Sequence, residues 1–494
     1  MEATFLIIGG GIAGASCADQ LSFHCPEEKI IMISASSVVK SVTNLCHISK
    51  MLSTFDVREK NCQEFASEYS NLSVIQGIVN EVLAAKREVI LTNGTRIKYH
   101  YLVLCHGARP KLLPNYSIDN NKFVLGIRDT ESVDQFQTYL KDAKTVMVVG
   151  NGGIATEIVH ELQDIDIIWA IKDDSISATF VDCGAGQFFL DQLNSNTSTT
   201  NENVENDKVE ITKRTKYTAL EFQKEESSKK TSSTILSAQN SSCGGAALGP
   251  DWHSNLSSKS GKMKNTKNIT LETGTEVIGI EQKNEDEVCV TLSNGKKFIC
   301  NFVVSATGVI PNGDSIKISD IKLDEEKGII VNEQMETNLR NIYAAGDVCS
   351  CHHWKHSEYW FQMRLWTQAR QMGAYAGQSM VHAWQDNGCS RKELDFCFEM
   401  FSHATNFFGY KVILLGLFNA QGLDVKDYEI LLRVTKRKEY VKVVLKNGKM
   451  QGAILIGETD LEETFENLIL NQMDLSVYGE DLLNPDIDIE DYFD

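Results

Sequence analysis

The sequence predicts an α/β fold with two β-α-β units, followed by a smaller α+β domain. Three observations predict it. One apolar strand ends in a glycine turn at residues 9–14, a second ends in a glycine turn at 150–157, and a third leads into Gly346-Asp347 much later. A strand, a glycine turn and a helix in this order are typical of Rossmann-like dinucleotide-binding domains.

The first glycine turn follows the strand Phe5–Ile8 and reads Gly9-Gly10-Gly11-Ile12-Ala13-Gly14. Gly9 permits the tight turn, Gly11 lets a pyrophosphate approach the backbone, and Gly14 lets the next helix pack on the strand. The free N–H groups and the positive end of that helix favour phosphate. The acid expected about 20 residues later is replaced by Ser34, which can still donate to or accept from a ribose hydroxyl.

The remaining elements of the first unit follow in order. After the strand Lys29–Ile33, a loop and a helical stretch are predicted to about Tyr69. A meander with a turn at Asn93-Gly94 then leads to the strand Tyr101–Leu104. The second β-α-β unit begins with the strand Thr145–Val149 and continues through Ile167–Ile171.

Residues 191–268 are rich in Ser, Thr, Asn and Lys and have little apolar periodicity. This composition predicts a mostly solvated, mobile insertion, in which the apolar island Ala246–His253 is expected to dock. A helix is predicted over Trp360–Trp384, and alternating apolar segments followed by the helix Leu461–Met473 predict a separate C-terminal domain. The tail 486–494 is acidic and aromatic.

Composition limits the function classes. The 48 basic and 67 acidic residues give a formal net charge of −19, which argues against a general polyanion-binding surface and predicts no direct binding to nucleic acid. No apolar run approaches the roughly 20 residues of a membrane span, and no cleavable leader is apparent. We expect a soluble intracellular protein with reduced thiols.

Four motifs together resemble the two-dinucleotide-binding-domain flavoproteins of the pyridine nucleotide-disulfide oxidoreductase superfamily. They are Gly9–Gly14, Gly107–Pro110, Gly150–Glu157, and Ala306–Asn312 with Thr337–Asp347. The resemblance implies an FAD-binding domain at 1–128 and 305–390, an NAD(P)H-binding domain at 129–304, and a C-terminal domain at 394–494. It implies FAD and NAD(P)H as cofactors and an NAD(P)H-dependent FAD oxidoreductase activity.

The resemblance also implies which residues bind the cofactors. Asp347 is expected to hydrogen-bond the ribityl or phosphate region of FAD, Gly346 to permit close approach, and Val348 to begin a run of helix N–H groups near the flavin. Beyond the first glycine turn and Ser34, the implied residues are Gly107, Ala108, Arg109, Thr307, Gly308, Gly150, Gly152, Gly153, Ile154, Glu157 and Lys172.

Two side chains near the nicotinamide carry further expectations. Glu157 is expected near the isoalloxazine and the nicotinamide, paired with a lysine for which Lys50 is the candidate. Lys172 could attract the 2′-phosphate of NADPH, whereas Asp173 could accept from the 2′-hydroxyl of NADH, so the choice between the two nucleotides stays open.

Disulfide reductases of this superfamily carry two cysteines separated by two or four residues, and this chain has no such pair. Cys46 lies near the position of the redox cysteine in single-cysteine members. Three functions remain: flavin oxidation by oxygen, a quinone-like acceptor or a partner protein; thiol-disulfide reduction through Cys46; and a binding module without turnover. Cys349, Cys351 and the neighbouring histidines are awkwardly spaced for zinc, so no metal site is predicted.

Some segments resemble one group within the superfamily more closely. They are Val124–Thr130, Arg364–Met372, Gly457–Met473 and the acidic tail. That resemblance implies a redox-protective role, with the tRNA ligase complex as the partner shielded from oxidation and with a location in nucleus and cytoplasm.

Overall fold

The computed structural model describes residues 1–114, 120–128, 130–195, 212–218, 221, 235–236, 268–355, 357–386, 388 and 390–484. The chain forms two compact units. The first comprises Met1–Arg109 and Val309–Phe401, and the second comprises Pro110–Gly308 and Ser402–Asp494. The second unit is therefore inserted into the first and also includes the C-terminal segment. The domain limits predicted from the sequence, such as 128/129 and 394, stay predictions.

The described elements are as follows. The helices are α1 (Ile12–His24), α2 (Cys62–Ser67), α3 (Asn120–Phe123), α4 (Thr130–Leu140), α5 (Gly153–Glu161), α6 (Cys183–Ser195), α7 (Trp366–Gln385) and α8 (Glu462–Asn471). The first strands are β1 (Glu2–Ile8), β2 (Ile30–Ser34), β3 (Val38–His47), β4 (Ser53–Asn61), β5 (Leu72–Gln76), β6 (Val79–Leu83), β7 (Glu88–Leu91), β8 (Arg96–Leu104) and β9 (Ala108–Pro110). The next are β10 (Val124–Leu125), β11 (Thr145–Val149), β12 (Asp166–Ala170), β13 (Thr212–Thr218), β14 (Ile235–Leu236), β15 (Ile269–Glu272), β16 (Val277–Gln282), β17 (Val288–Leu292), β18 (Lys297–Cys300) and β19 (Phe302–Ser305). The last are β20 (Val309–Pro311), β21 (Lys317–Ile318), β22 (Ile329–Ile330), β23 (Ile342–Ala344), β24 (Cys349–Ser350), β25 (Ser402–Phe407), β26 (Tyr410–Gly416), β27 (Glu429–Thr435), β28 (Glu439–Lys446) and β29 (Lys449–Ile456).

The main sheet of the first unit has the strand order β21-β6-β7-β8-β1-β2-β5, and β23 also pairs with β8. Strand β1 runs parallel to β2 and β8, with Phe5 opposite both Ile30 and Tyr101. These apolar strands are largely buried, as expected for a parallel sheet that is covered on both faces. The carboxyl ends of β1, β2, β8 and β23 meet at one edge, where ligands bind in such sheets.

Small residues allow α1 and α7 to pack closely. A methyl group on Gly373 would overlap the backbone of Ala13, and one on Gly377 would lie 3.0 Å from the carbonyl oxygen of Cys17. Helix α7 begins at Trp366, whereas the sequence analysis predicted a start at Trp360. Leu365 just before it is extended, and the buried Gln368 side chain accepts from the Met363 N–H (2.7 Å) and donates to the Phe361 carbonyl (2.9 Å), bonds that hold these residues outside the helix.

The predicted loop and helical stretch after β2 is wrong over residues 38–61. Strands β3 and β4 form an antiparallel hairpin there, from Val38 opposite Asn61 to His47 opposite Ser53. Val39 and Ser41 are buried while their neighbours are less so, which is the two-residue period of a strand. Helicity is confined to the short α2, where the Asn61 side chain accepts from the Glu64 N–H.

The second unit contains the other Rossmann-like sheet, with the order β10-β19-β11-β12-β15-β14. Strand β11 runs parallel to β12 and β19, so that Val149 lies opposite Ala170 and Ser305. Strands β16, β17 and β18 form a small antiparallel sheet. The predicted α/β class, with one nucleotide-binding domain inserted into the other, is confirmed.

The C-terminal segment forms an antiparallel sheet with the order β13-β27-β28-β29-β26-β25, and α8 packs on it. Its edge strand β13 comes from the insertion, and Lys216 on it pairs with Glu429 at 3.0 Å. Within the insertion that the sequence predicts to be mostly solvated and mobile, residues 212–218 thus form a paired strand and residues 191–195 complete α6, while the prediction for the insertion as a whole stays a prediction. The island Ala246–His253 and the tail 486–494 lie outside the described residues. Among the residues that are described, no helix has both the length and the apolar character needed to cross a bilayer.

Two candidate dinucleotide-binding turns

The first glycine turn joins β1 to α1. Gly9 has a φ of 118°, and a methyl group on it would overlap the Cys105 carbonyl oxygen. A methyl group on Gly14 would overlap the carbonyl oxygen of Gly9, whereas one on Gly11 would meet no protein atom within 4 Å. Gly11 is also the N-cap of α1 and provides no side-chain cap. The turn therefore leaves open space beside uncapped helix N–H groups, which fits a phosphate.

Ser34 ends β2 directly beside this turn. Its side chain is buried, and its hydroxyl donates to the carbonyl oxygen of Ser36 at 2.9 Å. A methyl group on Gly10 would lie 2.7 Å from the Ser34 hydroxyl oxygen, so the two residues pack together. Since its proton is used by the backbone, Ser34 can contribute to a ribose only as an acceptor, and this role stays a prediction.

The Gly107–Pro110 motif is joined to Asn312. The Asn312 N–H donates to the carbonyl oxygen of Gly107 (3.0 Å), its amide donates to the carbonyl oxygen of His106 (3.1 Å), and its own carbonyl oxygen lies 3.0 Å from His106 Nε2. Burial lowers the pKa of His106 to about 4, although the hydrogen bond to Asn312 opposes the shift. Arg109 pairs with Asp314 at 3.0 Å. The contacts of His106 are not apparent from the sequence, because its partner Asn312 is distant in the chain.

The turn that carries Asp347 lies beside the first glycine turn. Gly346, at a φ of 76°, follows β23, and a methyl group on it would lie 2.9 Å from the Cβ of Ala13. Asp347 and Val348 complete this turn, and the Asp347 carbonyl oxygen accepts from Arg364 Nε at 3.4 Å. The structure thus brings the Gly346–Val348 turn to the glycine turn that begins at Gly9. The predicted run of helix N–H groups from Val348 is wrong, because Val348 ends a single 3-10 turn and the strand β24 follows it directly.

The second glycine turn, between β11 and α5, repeats this arrangement. Gly150 has a φ of 132°, and a methyl group on it would overlap the Ala306 carbonyl oxygen, whereas one on Gly152 would meet no protein atom within 4 Å. Gly152 is the uncapped N-cap of α5. The buried Trp169 donates from its ring N–H to the carbonyl oxygen of Gly150 at 2.8 Å. This turn also fits a phosphate.

Residues near the second turn take the following places. Gly153 and Ile154 form the first residues of α5. Thr307 and Gly308 follow β19 in the same unit, and the Thr307 hydroxyl donates to the carbonyl oxygen of Lys111 at 2.8 Å. The nucleotide-binding roles of these four residues stay predictions.

Asn151, which the sequence analysis did not select, organises the strand end after β12. Its buried amide donates to the Asp173 carboxylate and to the carbonyl oxygen of Ser175, both at 2.8 Å. Lys172 is exposed. Asp173 is therefore anchored at the turn, while the choice between NADH and NADPH remains open. A glycine-turn asparagine gives little signal in one sequence because asparagine is common in turns.

The three catalytic candidates are divided between the two units. Cys46 and Lys50 are exposed near the end of the β3–β4 hairpin in the first unit, with the Cys46 sulfur 3.9 Å from the carbonyl oxygen of His47. Glu157 is partly exposed on α5 in the second unit. The structure brings Cys46 and Lys50 to the same end of one hairpin, and the pairing of Lys50 with Glu157 stays a prediction.

Cys349 and Cys351 are buried behind the Asp347 turn. Cys349 Sγ donates to the carbonyl oxygen of Gly346 at 3.1 Å. Burial, together with the neighbouring Cys349, raises the pKa of the Cys351 thiol well above its usual value. In the described part of the chain, no three His, Cys, Asp or Glu side chains are placed to hold a metal ion, and His356 lies outside it.

Comparison with known proteins identifies the family. The protein-family model described as "Pyridine nucleotide-disulphide oxidoreductase" matches residues 3–242 and 245–373. The chain belongs to this family. Pyridine nucleotide-disulphide oxidoreductases use FAD and NAD(P)H, so the predicted cofactors are confirmed. Residues 402–473 match the "Rubredoxin NAD+ reductase C-terminal domain".

Two curated relatives are similar along almost their whole length. Both are called "Pyridine nucleotide-disulfide oxidoreductase domain-containing protein 1". The protein of Rattus norvegicus is 46% identical over 518 residues, which cover 99% of this chain and 98% of the relative. That of Homo sapiens is 45% identical over 516 residues, with the same coverage. The solved covalent complex of putidaredoxin reductase with putidaredoxin matches with a TM-score of 0.62 at 16% identity, covering 96% of this chain and 94% of that one, which shows the shared fold.

Proposed function

We propose that this protein is an FAD-dependent oxidoreductase that takes hydride from NAD(P)H and delivers electrons without a paired-cysteine relay. Membership of the family supports the redox chemistry. The observation that carries the proposal is the repeated turn geometry: Gly11 and Gly152 each face open space at an uncapped helix N-terminus, beside Gly9 and Gly150, which are tightly packed. Two such turns in one chain suit two dinucleotides.

The residues of the chain bind and orient the two cofactors. Gly11 and the first N–H groups of α1 hold the FAD pyrophosphate, and Asp347 holds the ribityl or phosphate region. Gly152 and the first N–H groups of α5 hold the nicotinamide dinucleotide. When bound, NAD(P)H supplies a hydride and FAD accepts it. The protein contributes placement and electrostatics to this transfer.

The cysteines support an acceptor other than a family-type redox disulfide. The sequence has no C-x2-C or C-x4-C pair. Cys349 and Cys351 are buried, and the raised pKa of Cys351 keeps its thiol protonated. The electrons would then pass to oxygen, a quinone-like acceptor or a partner protein. By the closer resemblance, the finer proposal is a redox-protective role for the tRNA ligase complex in nucleus and cytoplasm.

Anaerobic titration of the purified holoprotein with NADH and NADPH tests the proposal through the visible absorbance of the flavin. Gly152→Val should weaken nicotinamide binding ~100-fold, or about 3 kcal/mol, while FAD stays bound, because the new side chain fills only the space kept for phosphate. Gly279→Val is the matched control, since a methyl group there has ordinary contact with Thr291 on a strand. Flavin reduction of the Gly152 variant at the wild-type nucleotide concentration would contradict the assignment, and wild-type protein without flavin would overturn the proposal.

A further inference from the structure

A polar network begins at the second glycine turn and continues into the segment after β12. The Asn151 side-chain oxygen accepts from the Ser177 N–H at 2.6 Å, and the Ser177 hydroxyl lies 3.3 Å from that of Thr156 on α5. Ser177 is fully buried and has a φ of 56°, a left-handed conformation that non-glycine residues adopt only when the surrounding structure holds them. The shape of the glycine turn therefore depends on how Ser177 is held.

The residues that follow Ser177 in the same segment bind its carbonyl oxygen. The Ser177 carbonyl oxygen accepts from the N–H groups of Phe180 (2.8 Å) and Val181 (3.0 Å). The Phe180 carbonyl oxygen accepts from the side chain of Asn419, at 3.4 Å, and the Phe180 ring packs against Phe407 with the ring centroids 5.2 Å apart. Asn419 and Phe407 belong to the C-terminal sheet segment, which thus contacts the nucleotide-binding segment within the second unit.

A buried ion pair completes the network. Lys442 on β28 lies 2.5 Å from the carboxylate of Asp182 and donates to the side-chain oxygen of Asn419 at 2.8 Å. The side chains of Lys442 and Asp182 are only 3% and 9% exposed. Asp182 also accepts from the Tyr440 hydroxyl (2.8 Å) and from the Ala185 N–H (3.0 Å), and so it caps α6.

The carboxylate of Asp182 keeps its charge inside the protein. Burial alone would raise the pKa of Asp182, but the Lys442 ammonium and the hydrogen bonds outweigh it and hold the pKa below its usual value. Buried ion pairs add little net stability compared with apolar packing, but removal of one partner is costly because it leaves an uncompensated buried charge. This pair fixes the α6 end of the segment that follows β12.

We propose that Lys442 and Asp182 are positioning residues for the nicotinamide dinucleotide, an inference that rests on the proposed function. They act through Asn419, Phe180 and Ser177 on Asn151 and keep the second glycine turn in its binding shape. The C-terminal sheet thus contributes to nucleotide affinity without contacting the nucleotide. Loss of the ion pair should weaken nucleotide binding and leave FAD binding unchanged.

The test measures NADH affinity of the FAD-loaded full-length protein by calorimetry, and flavin reduction by anaerobic stopped flow. Lys442→Met should raise the Kd for NADH about tenfold and change the limiting reduction rate little, while the flavin absorbance is retained. Lys446→Met, on the same strand and 36% exposed at a looser pair with Asp427, is the control and should behave as wild type.

A second variant separates positioning from folding, because Lys442→Met leaves an unpaired buried carboxylate. Asp182→Asn/Lys442→Met removes both charges and keeps a cap for α6. This double variant should melt near the wild-type temperature yet bind NADH about tenfold more weakly than wild type. The conservative single variant Lys442→Arg should keep part of the affinity that Lys442→Met loses. A folded double variant with wild-type NADH affinity would overturn the inference.

Wild-type protein that binds NADH but does not reduce its flavin would overturn the proposed function alone, and the affinity comparison would still decide the inference. A wild type that binds neither NADH nor NADPH would overturn both, and if it binds only NADPH, NADPH takes the place of NADH in these measurements.

Discussion

At the scale of single residues, the glycines of both turns divide into two kinds. Gly9 and Gly150 have positive φ angles and no room for a side chain, so the fold itself requires them. Gly11 and Gly152 have φ near −77° and −92° and open space in front, so the fold itself does not require them, and their proposed role is to leave room for phosphate. The G-x-G spacing predicts both glycines of each turn, and the geometry separates their roles.

Gly11→Val and Gly9→Val should therefore differ in kind. Gly11→Val should lose FAD and keep nearly the thermal stability of the wild-type apoprotein, because its backbone conformation suits valine. Gly9→Val should destabilise the fold by about 3 kcal/mol or more, since the left-handed backbone and the overlap with Cys105 both oppose it. Flavin content on purification and apoprotein melting temperature measure the two effects. Full flavin retention in Gly11→Val would exclude the phosphate role of the first turn.

At the scale of elements, the sequence predicts what local pattern determines. The buried strands β1, β11 and β19 follow from apolar runs that end at glycine turns or motifs. The hairpin was missed because the outer half of β3, from Thr43 to His47, is polar or exposed and carries no alternation. Strand β13 was missed because its Thr, Lys and Arg composition is that of a solvated segment, and its partner β27 lies far along the chain. The Asn151 and Lys442 contacts depend on tertiary packing in the same way.

The hairpin also bears on the alternative function through Cys46. An exposed thiol on a β-hairpin has no helix N-terminus of its own to activate it, in contrast to many reactive cysteines. Cys46→Ser should leave NAD(P)H oxidation with a quinone-like dye unchanged and should leave disulfide-dependent oxidation at the background rate. Cys62→Ser, at a partly buried thiol in the same unit, is the control. Disulfide-dependent turnover that disappears only in Cys46→Ser would establish the thiol-disulfide reductase instead.

At the scale of the whole molecule, each unit encloses a histidine that remains neutral. Burial lowers the pKa of His106 in the first unit and of His403 in the second, each to about 4 from 6.5. The unfolded chain binds these protons more readily than the folded chain. The contribution of each histidine to the free energy of unfolding is therefore fully present above pH 6.5 and is lost as the pH falls towards 4. Acid should therefore destabilise both units.

His403→Phe should flatten this dependence in the second unit. The variant keeps an aromatic ring against Phe180, whose centroid lies 6.3 Å away, and has no proton to bind. Both proteins should lose free energy of unfolding between pH 6.5 and pH 4. The loss in the variant should be smaller than the loss in wild type by up to about 3 kcal/mol. Urea unfolding at several pH values measures it, with the terminal α1 residue His24→Phe as the control. If the free energy of unfolding changes equally with pH in His403→Phe and in His24→Phe, His403 already binds its proton in the folded state.

The edge strand taken from the insertion has a practical consequence for shortening this chain. Removing all of 191–268 would also remove β13 and leave the amide and carbonyl groups of Glu429–Thr435 without their neighbour on that side. A bare row of this kind recruits strands from other molecules, so such a truncated protein should precipitate or self-associate. Versions trimmed for crystallisation are better cut on either side of Thr212–Thr218, with that strand retained.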